Sequence, residues 1–329
     1  MPIEIELFQI GELTEYAKIN NAVVLANQVQ KAFYFKFSNR KYPLSDDFKL
    51  SNGGYDIDEA IPAKMRTRGA ARPVIFVTSQ PYSDKESEND PEGFYFSQLA
   101  GKDSFGVLST YLWSTLPQAR PIQPYFLFYL ACVAFDICAD LSMHEETRGC
   151  PFDYCDNPSD VDKAMQAGGL CAECSHHLNS VIKRGGRGIL EQAAAAERLL
   201  NRAVNKKQAF VAMPFLHDLD PVFETIRNAL SEYGWKVVRA DEMYHPRNIL
   251  DVITYLILSS DLIIADVTGK NPNVFYELGW AFAMDQHVIL LTQDQDIPFD
   301  VQSERAIKYA FTDMKLLAQL LLKAVGISV

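Results

Sequence analysis

Positive charge is scarce in this chain: 31 Lys and Arg stand against 42 Asp and Glu, and the 329 residues carry a net charge of −11. Proteins that hold nucleic acid by its phosphates need a basic face. That class of partner is therefore set aside, and Lys183, Arg184 and Arg187 remain as a local basic group. No run of about twenty apolar residues occurs, the length a bilayer-spanning helix needs. The apolar segment Tyr125–Cys138 is shorter than that and reads as a buried helix. The opening, MPIEIELFQI, lacks the basic end and apolar centre of a secretory leader. A cytoplasmic protein with no membrane partner is the expectation. Repeats and low-complexity tracts are missing as well, which excludes solenoid architectures. Cysteine is sparse, with six residues, and four of them crowd into one stretch. In a cytosolic chain such crowding points to metal rather than to disulfides.

What is present is apolar residue enough for two cores: 48% of the chain is hydrophobic, and its length suits two domains. The first half mixes elements without regular alternation. Strands are expected at residues 2–9, Phe33–Phe37 and Val74–Val77, with a hairpin over Phe94–Ala100 and Phe105–Ser109. Helices are expected at 14–32, in a short piece over Asp56–Arg66, and at 121–142. The class predicted for residues 1–184 is α+β. Gly185, Gly186 and Gly188 then interrupt the chain, and Ile189–Val204 is rich in Ala, Leu and Glu, so 185–205 reads as a helical linker. From 206 to 329 the pattern is regular. Apolar strands near Phe210, Trp235, Leu262, Val288 and Ile307 alternate with helices, which predicts right-handed βαβ units and a parallel α/β sheet of flavodoxin-like order 2-1-3-4-5.

Cys150, Cys155, Cys171 and Cys174 are spaced as CX4C and CX2C. Each close pair supplies two thiolates from one turn, a pattern that wraps tetrahedral zinc. Four thiolates leave no open position, so the expected zinc is structural. His144, His176 and His177 lie close by, and each is an alternative ligand.

The segment Asp261–Ala283 carries the densest chemistry. An apolar strand, Leu262–Ala265, ends on Asp266; a turn containing Thr268 follows, and a helix starting near Asn273 carries Glu277. In open parallel sheets, strand carboxyl ends and the following helix starts form the ligand crevice. The plainer reading makes Asp266 a helix cap and Glu277 a charge complementing the helix dipole. Against it, Phe275, Tyr276, Leu278 and Trp280 surround Glu277, a poor setting for a solvated acid. Asn273 stands one turn before Glu277, where its amide is placed to orient the carboxylate or to cap the helix.

Taken together, FVAMPF at Phe210–Phe215, RADE at Arg239–Glu242, DLIIADVTGKNPNVFYELGWA at Asp261–Ala281 and IPFD at Ile297–Asp300 resemble the toll/interleukin-receptor-like (TIR-like) domains of bacterial nucleotide-binding proteins. They are similar also to the nucleoside 2-deoxyribosyltransferases. The resemblance implies that Glu277 works at an N-glycosidic bond, with Asp266 as ribose-binding or acid group and Asp241 as a weaker acid candidate. It implies Met213, Phe215, Arg239, Thr268, Asn273 and Trp280 as substrate-binding candidates. NAD or a related nucleotide is the implied substrate, self-association through this domain the implied assembly, and antiphage defence the implied setting. A loop reading Met213-Pro214-Phe215 departs from the tyrosine and glycine-rich start of true deoxyribosyltransferases, which favours the NAD-cleaving branch.

The first half resembles archaemetzincin-type metallopeptidases, which place a catalytic zinc helix before a similar cysteine cluster. The departure is at the catalytic ligands: Ala139, Asp140, Met143 and Gly149 stand where that family needs His, Glu, His and His. A catalytic zinc needs three ligands and an activated water. The resemblance therefore implies a scaffold without peptidase chemistry, serving as sensor or docking domain.

Overall fold

The structure, a computed structural model, describes residues 2–66, 73–90, 97–98, 105–111, 122–141, 143–155, 158–205, 207–242, 249–284, 286–294 and 306–327. They divide into two compact units, Met1–Asn205 and Lys206–Val329. The expected IPFD element at Ile297–Asp300 and the start of the expected hairpin at Phe94 lie outside the described residues.

In the first unit the alternating segment Ile3–Ile10 forms strand β1, followed by helix α1 (Tyr16–Val29) and strand β2 (Phe33–Tyr42). Two short strands, β3 (Tyr55–Asp56) and β5 (Tyr82–Ser83), pair with each other. Between them come α2 (Ile57–Ala60), α3 (Ala63–Arg66) and β4 (Val74–Thr78). Strands β6 (Ser97–Gln98) and β7 (Phe105–Ser109) complete a sheet of order β2-β1-β4-β7-β6. All pairings in it are parallel except β6 with β7. The first half is thus a mixed α/β layer rather than the α+β arrangement expected. Irregular spacing hid this, because the crossovers from β2 to β4 and from β4 to β7 are long.

One face of this sheet buries Phe8, Ile10, Val74, Phe76 and Phe105 against Ile57, Ile61 and Met65. Behind it run α4 (Ile122–Ala139), α5 (Pro158–Ala167) and α6 (Ala172–Ala203), with α4 packed along both α1 and α6. Helix α4 has 18 residues, longer than its apolar centre suggests, and is apolar enough to cross a membrane by length and composition alone. Burial of 83% of it identifies a core helix, as expected for one apolar on every side. The span α6 is two helices joined at a kink at Gly186, whose φ of 68° is a conformation glycine tolerates and other residues resist; the second helix covers the segment expected to be helical within 185–205 and lies in the first unit.

The second unit alternates strand and helix from β8 to β11: β8 (Lys207–Ala212), α7 (Asp220–Ser231), β9 (Trp235–Val238), α8 (Ile249–Ser259), β10 (Leu262–Asp266), α9 (Pro272–Ala283) and β11 (Val288–Thr292), after which come β12 (Ala306–Lys308) and α10 (Met314–Ala324). The sheet order is β12-β11-β10-β8-β9, all parallel. Counted within the unit this is 2-1-3-4-5. The two-residue period of the strands explains the layers. Ala209, Val211, Leu262, Ile264, Ile289 and Leu291 face α7 and α10 on one side. Phe210, Ala212, Ile263, Ala265 and Leu290 face α8 and α9 on the other. Both faces are covered, so the strands read as continuous apolar runs. Strand order reverses between β8 and β10, and in such sheets the ligand crevice opens at the carboxyl ends there.

Candidate functional site

Two constellations hold chemistry-bearing side chains, one in each unit. In the first, His144, Cys150, Cys171 and Cys174 bring one donor atom each to within 4.8 Å of one another. Local structure accounts for the gathering. Gly149, at φ +81°, turns the chain so that Cys150 faces inward, in a spot where a Cβ would meet Ala167 at 3.0 Å. Cys171 caps α6, its Sγ accepting from the Cys174 backbone N–H at 3.4 Å, which sets both sulfurs on one helical turn. Nε2 of His144 lies 3.2 Å from Cys174 Sγ and 3.6 Å from Cys171 Sγ. Donors around zinc at bond lengths of about 2.0–2.3 Å stand roughly 3.5–3.8 Å apart in a tetrahedron, so this set fits the metal. Burial raises the thiols of Cys150 and Cys174, a shift that a divalent cation would reverse. Zinc held here would clamp the loop bearing α5, and four protein donors leave it no open position for substrate.

The expected donor Cys155 is not in the set. Its Sγ instead donates to the backbone carbonyl of Asp153 at 3.5 Å, and His144 takes its place. Sequence spacing favoured the cysteine because CX4C is compact. It could not show that residues 144 and 153 form a backbone bridge, with His144 N–H donating to Phe152 O at 2.8 Å and Tyr154 N–H to His144 O at 2.9 Å.

In the second unit, Asp266 ends β10 fully buried. Its Oδ1 accepts from the Thr268 backbone N–H at 3.0 Å and the Thr268 hydroxyl at 2.5 Å, and its Oδ2 accepts from the Tyr309 hydroxyl at 2.6 Å. Thr268 Oγ1 accepts from Gln293 N–H at 3.0 Å, and Gln293 Nε2 donates to the Tyr309 hydroxyl at 3.0 Å. Burial raises the Asp266 carboxyl, and the bonds from Thr268 and Tyr309 oppose the rise. Asp266 and Thr268 are therefore a structural tie joining the ends of β10 and β11 to Tyr309. Both stand at the carboxyl end of β10, the edge where a ligand was expected. Tyr309 was not foreseen; a tyrosine just after a short strand carries no signal by itself. Replacing Tyr309 by phenylalanine leaves a buried carboxylate oxygen without its donor. The expected cost is about 1–3 kcal/mol, read from urea unfolding of the second unit.

Glu277 is the contrasting acid. Helix α9 is capped by Asn271, whose Oδ1 accepts from Asn273 N–H at 2.9 Å, and Pro272 occupies its first turn. The buried stripe of α9 is Val274, Glu277, Leu278 and Ala281, so Glu277 points with the apolar positions toward β8 and β10, on which α9 packs. It is 7% exposed. Its carboxylate meets no hydrogen-bond donor among the described residues. Burial alone lifts its pKa from 4.5 to about 7. Asn273 is exposed and neither caps the helix nor bonds to Glu277.

The raised pKa has a stability consequence. A group protonated more readily in the fold contributes fully below its unfolded value near 4.5, and the contribution is lost as pH rises through about 7. A shift of this size corresponds to roughly 3 kcal/mol. The Glu277→Gln protein should therefore match the parent near pH 4.5 and exceed it in stability at pH 8, which chemical denaturation at the two pH values will show. An equal difference at both would contradict the burial.

The remaining expected site residues divide between core and surface. Arg239 is buried, its Nε and Nη2 donating to Asp241 at 2.7 and 2.9 Å and its Nη1 to Asp220 at 3.0 Å, with the guanidinium 4.3 Å from the Phe223 ring centre. It is not a solvated charge, because three of its five N–H donors already serve two carboxylates. Met213 is sealed in the core beneath it. Trp280 packs half-buried on the α8–α9 side. Phe215, 52% exposed, follows the carboxyl end of β8.

No family model matches the chain, and no curated protein matches it. Among solved structures it is similar to archaemetzincin from Methanopyrus kandleri, at 15% identity over 56% of this chain and 97% of that one, with a TM-score of 0.40. It is similar to a CMP N-glycosidase from Clostridium botulinum, at 23% identity over 36% of this chain and 99% of that one, TM-score 0.30. It is also similar to a 2-deoxyribosyltransferase from Leishmania mexicana, at 18% identity over 30% of this chain and 72% of that one, TM-score 0.26.

Proposed function

We propose that the second unit is an enzyme that breaks the N-glycosidic bond of a nucleotide, with Glu277 beneath the sugar, and that NAD is its substrate. The observation that carries this reading is a buried, undonated carboxyl with a pKa of about 7 on the inward stripe of α9. Such a group is costly to keep, and perturbed acids at crevices mark functional sites. Rupture of a C–N glycosidic bond puts positive charge on the sugar ring, and a carboxylate placed under C1′ stabilises that charge or captures it covalently.

The choice of NAD follows from the leaving group. When the C1′–N bond of a nicotinamide nucleotide breaks, its electron pair neutralises the pyridinium nitrogen, and nicotinamide departs without a proton. Water then adds at C1′ and releases a proton. Adenine or cytosine would need a second acid to protonate the departing base. Among the described residues at this edge, the other candidates are engaged: Asp266 by Thr268 and Tyr309, Asp241 by Arg239, and Asp294 by the Gly269 N–H at 2.9 Å. With these three carboxylates hydrogen-bonded, the site suits a base that leaves neutral. The TIR-like assignment and a role in phage defence rest on sequence resemblance alone. The first unit, with Ala139, Asp140, Met143 and Gly149 at the positions of catalytic ligands, is assigned a regulatory part.

The test is incubation of the full chain, at several concentrations, with NAD, cytidine and adenine nucleotides and deoxynucleosides, followed by product identification. Nicotinamide and ADP-ribose are expected from NAD. Base exchange between deoxynucleosides would identify a transferase instead. Nucleotides recovered intact at every concentration would make the crevice a binding site and refute catalysis.

A further inference from the structure

Five donors compete for four places around the cluster of the first unit: His144 and the four cysteines 150, 155, 171 and 174. We propose that Asp153 decides the competition, holding His144 so that its Nε2 faces the sulfurs and fixing the donor set at three thiolates and one imidazole, with Cys155 excluded. The inference rests on the reading of the cluster as a zinc centre.

The geometry is that of a carboxylate–histidine–metal relay. Nδ1 of His144 donates to Oδ1 of Asp153 at 2.9 Å. A neutral imidazole that donates from one nitrogen keeps a lone pair on the other, and here the other is Nε2, the atom close to Cys171 and Cys174. Asp153 is itself immobilised. Its Oδ2 accepts from the backbone N–H groups of Arg148 at 2.6 Å and Cys150 at 2.8 Å. One carboxylate therefore orients the imidazole and shapes the turn that presents a thiol. Both partners are buried, Asp153 at 4% exposure and His144 at 8%. The backbone bridge between residues 144 and 153 holds the two side chains in register. Cys155, two residues beyond Asp153, turns its sulfur to a backbone carbonyl.

Cobalt(II) substituted for zinc in the full-length protein reports the donor set, because the intensity of thiolate-to-cobalt charge transfer grows with the number of bound thiolates. One metal per chain with three-thiolate intensity is expected, unchanged in Cys155→Ser. In Asp153→Asn, chelator competition should show zinc affinity lowered about 10–100-fold. Its cobalt spectrum should gain thiolate intensity as Cys155 enters, a gain that the Asp153→Asn, Cys155→Ser double variant lacks. A merely structural role for Asp153 would not produce that gain. Four-thiolate intensity in the parent that falls in Cys155→Ser would overturn the proposal, even if Asp153→Asn does not fold. Unaltered affinity and spectrum in Asp153→Asn would overturn it too. Failure of the parent to bind either metal, seen directly in the stoichiometry, would remove the zinc centre itself.

Discussion

Glu277→Gln should lower nicotinamide release from NAD by about 10³-fold, equivalent to roughly 4 kcal/mol of transition-state stabilisation. Glutamine keeps the volume and hydrogen-bonding shape of the side chain and removes the charge, so the loss reports electrostatics rather than packing. The pH profile follows from the raised pKa. With burial setting the carboxyl at about 7, the ionised form that stabilises a sugar cation becomes populated only as pH rises through neutrality. Activity on NAD should therefore climb from pH 5.5 to about 8 and then level off. A group of ordinary pKa would give a flat profile over that range. An enzyme using Glu277 as proton donor to the base would show the opposite slope, with activity falling above pH 7. Undiminished activity in Glu277→Gln would refute the assigned role whatever the profile.

Stripping zinc from the first unit should have the second large effect, and a local one. Structural zinc sites in small peptides contribute on the order of 10 kcal/mol, comparable to the whole stability of a typical domain. Here the sheet buries a core of its own against α2 and α3, so the loss should fall on the segment that the four donors close. A strong chelator should raise hydrogen exchange across residues 143–175, and Cys174→Ser should do the same without chelator. Exchange in β8, β10 and α9 should not change, since that unit buries its own core on both faces of its sheet. Identical exchange in residues 143–175 with and without metal would show that the cluster is a set of reduced, unliganded cysteines.

Different parts of the molecule were legible in the sequence to different degrees, for physical reasons. Strands β8 to β11 announce themselves because both faces of a covered parallel sheet must be apolar. Glu277 was legible because an acid among Phe275, Leu278 and Trp280 contradicts its neighbours. The partners of Asp266 were not. Tyr309 lies 43 residues away in sequence, and its contact with Asp266 depends on β12 settling beside β11, a long-range fact that no local pattern encodes. His144 stood out in the sequence only as one of three alternative ligands, for a related reason. Its place in the cluster depends on a backbone bridge to Asp153 nine residues on and on a buried carboxylate whose importance appears only with the fold. Arg239 and Asp241 were expected separately, as a substrate-binding residue and an acid, and no local pattern showed that they pair with each other, with the Arg239 guanidinium over Phe223.

The central claim is that Glu277 is a buried carboxyl poised near neutrality at a nucleotide crevice. Its most direct test is a carbon-13 NMR titration of the glutamate side-chain carboxyls in the full chain, with Glu277→Gln assigning the resonance. The account predicts a midpoint of about 7 for that one signal. A midpoint near the ordinary value of 4.5 would place Glu277 in water and contradict it.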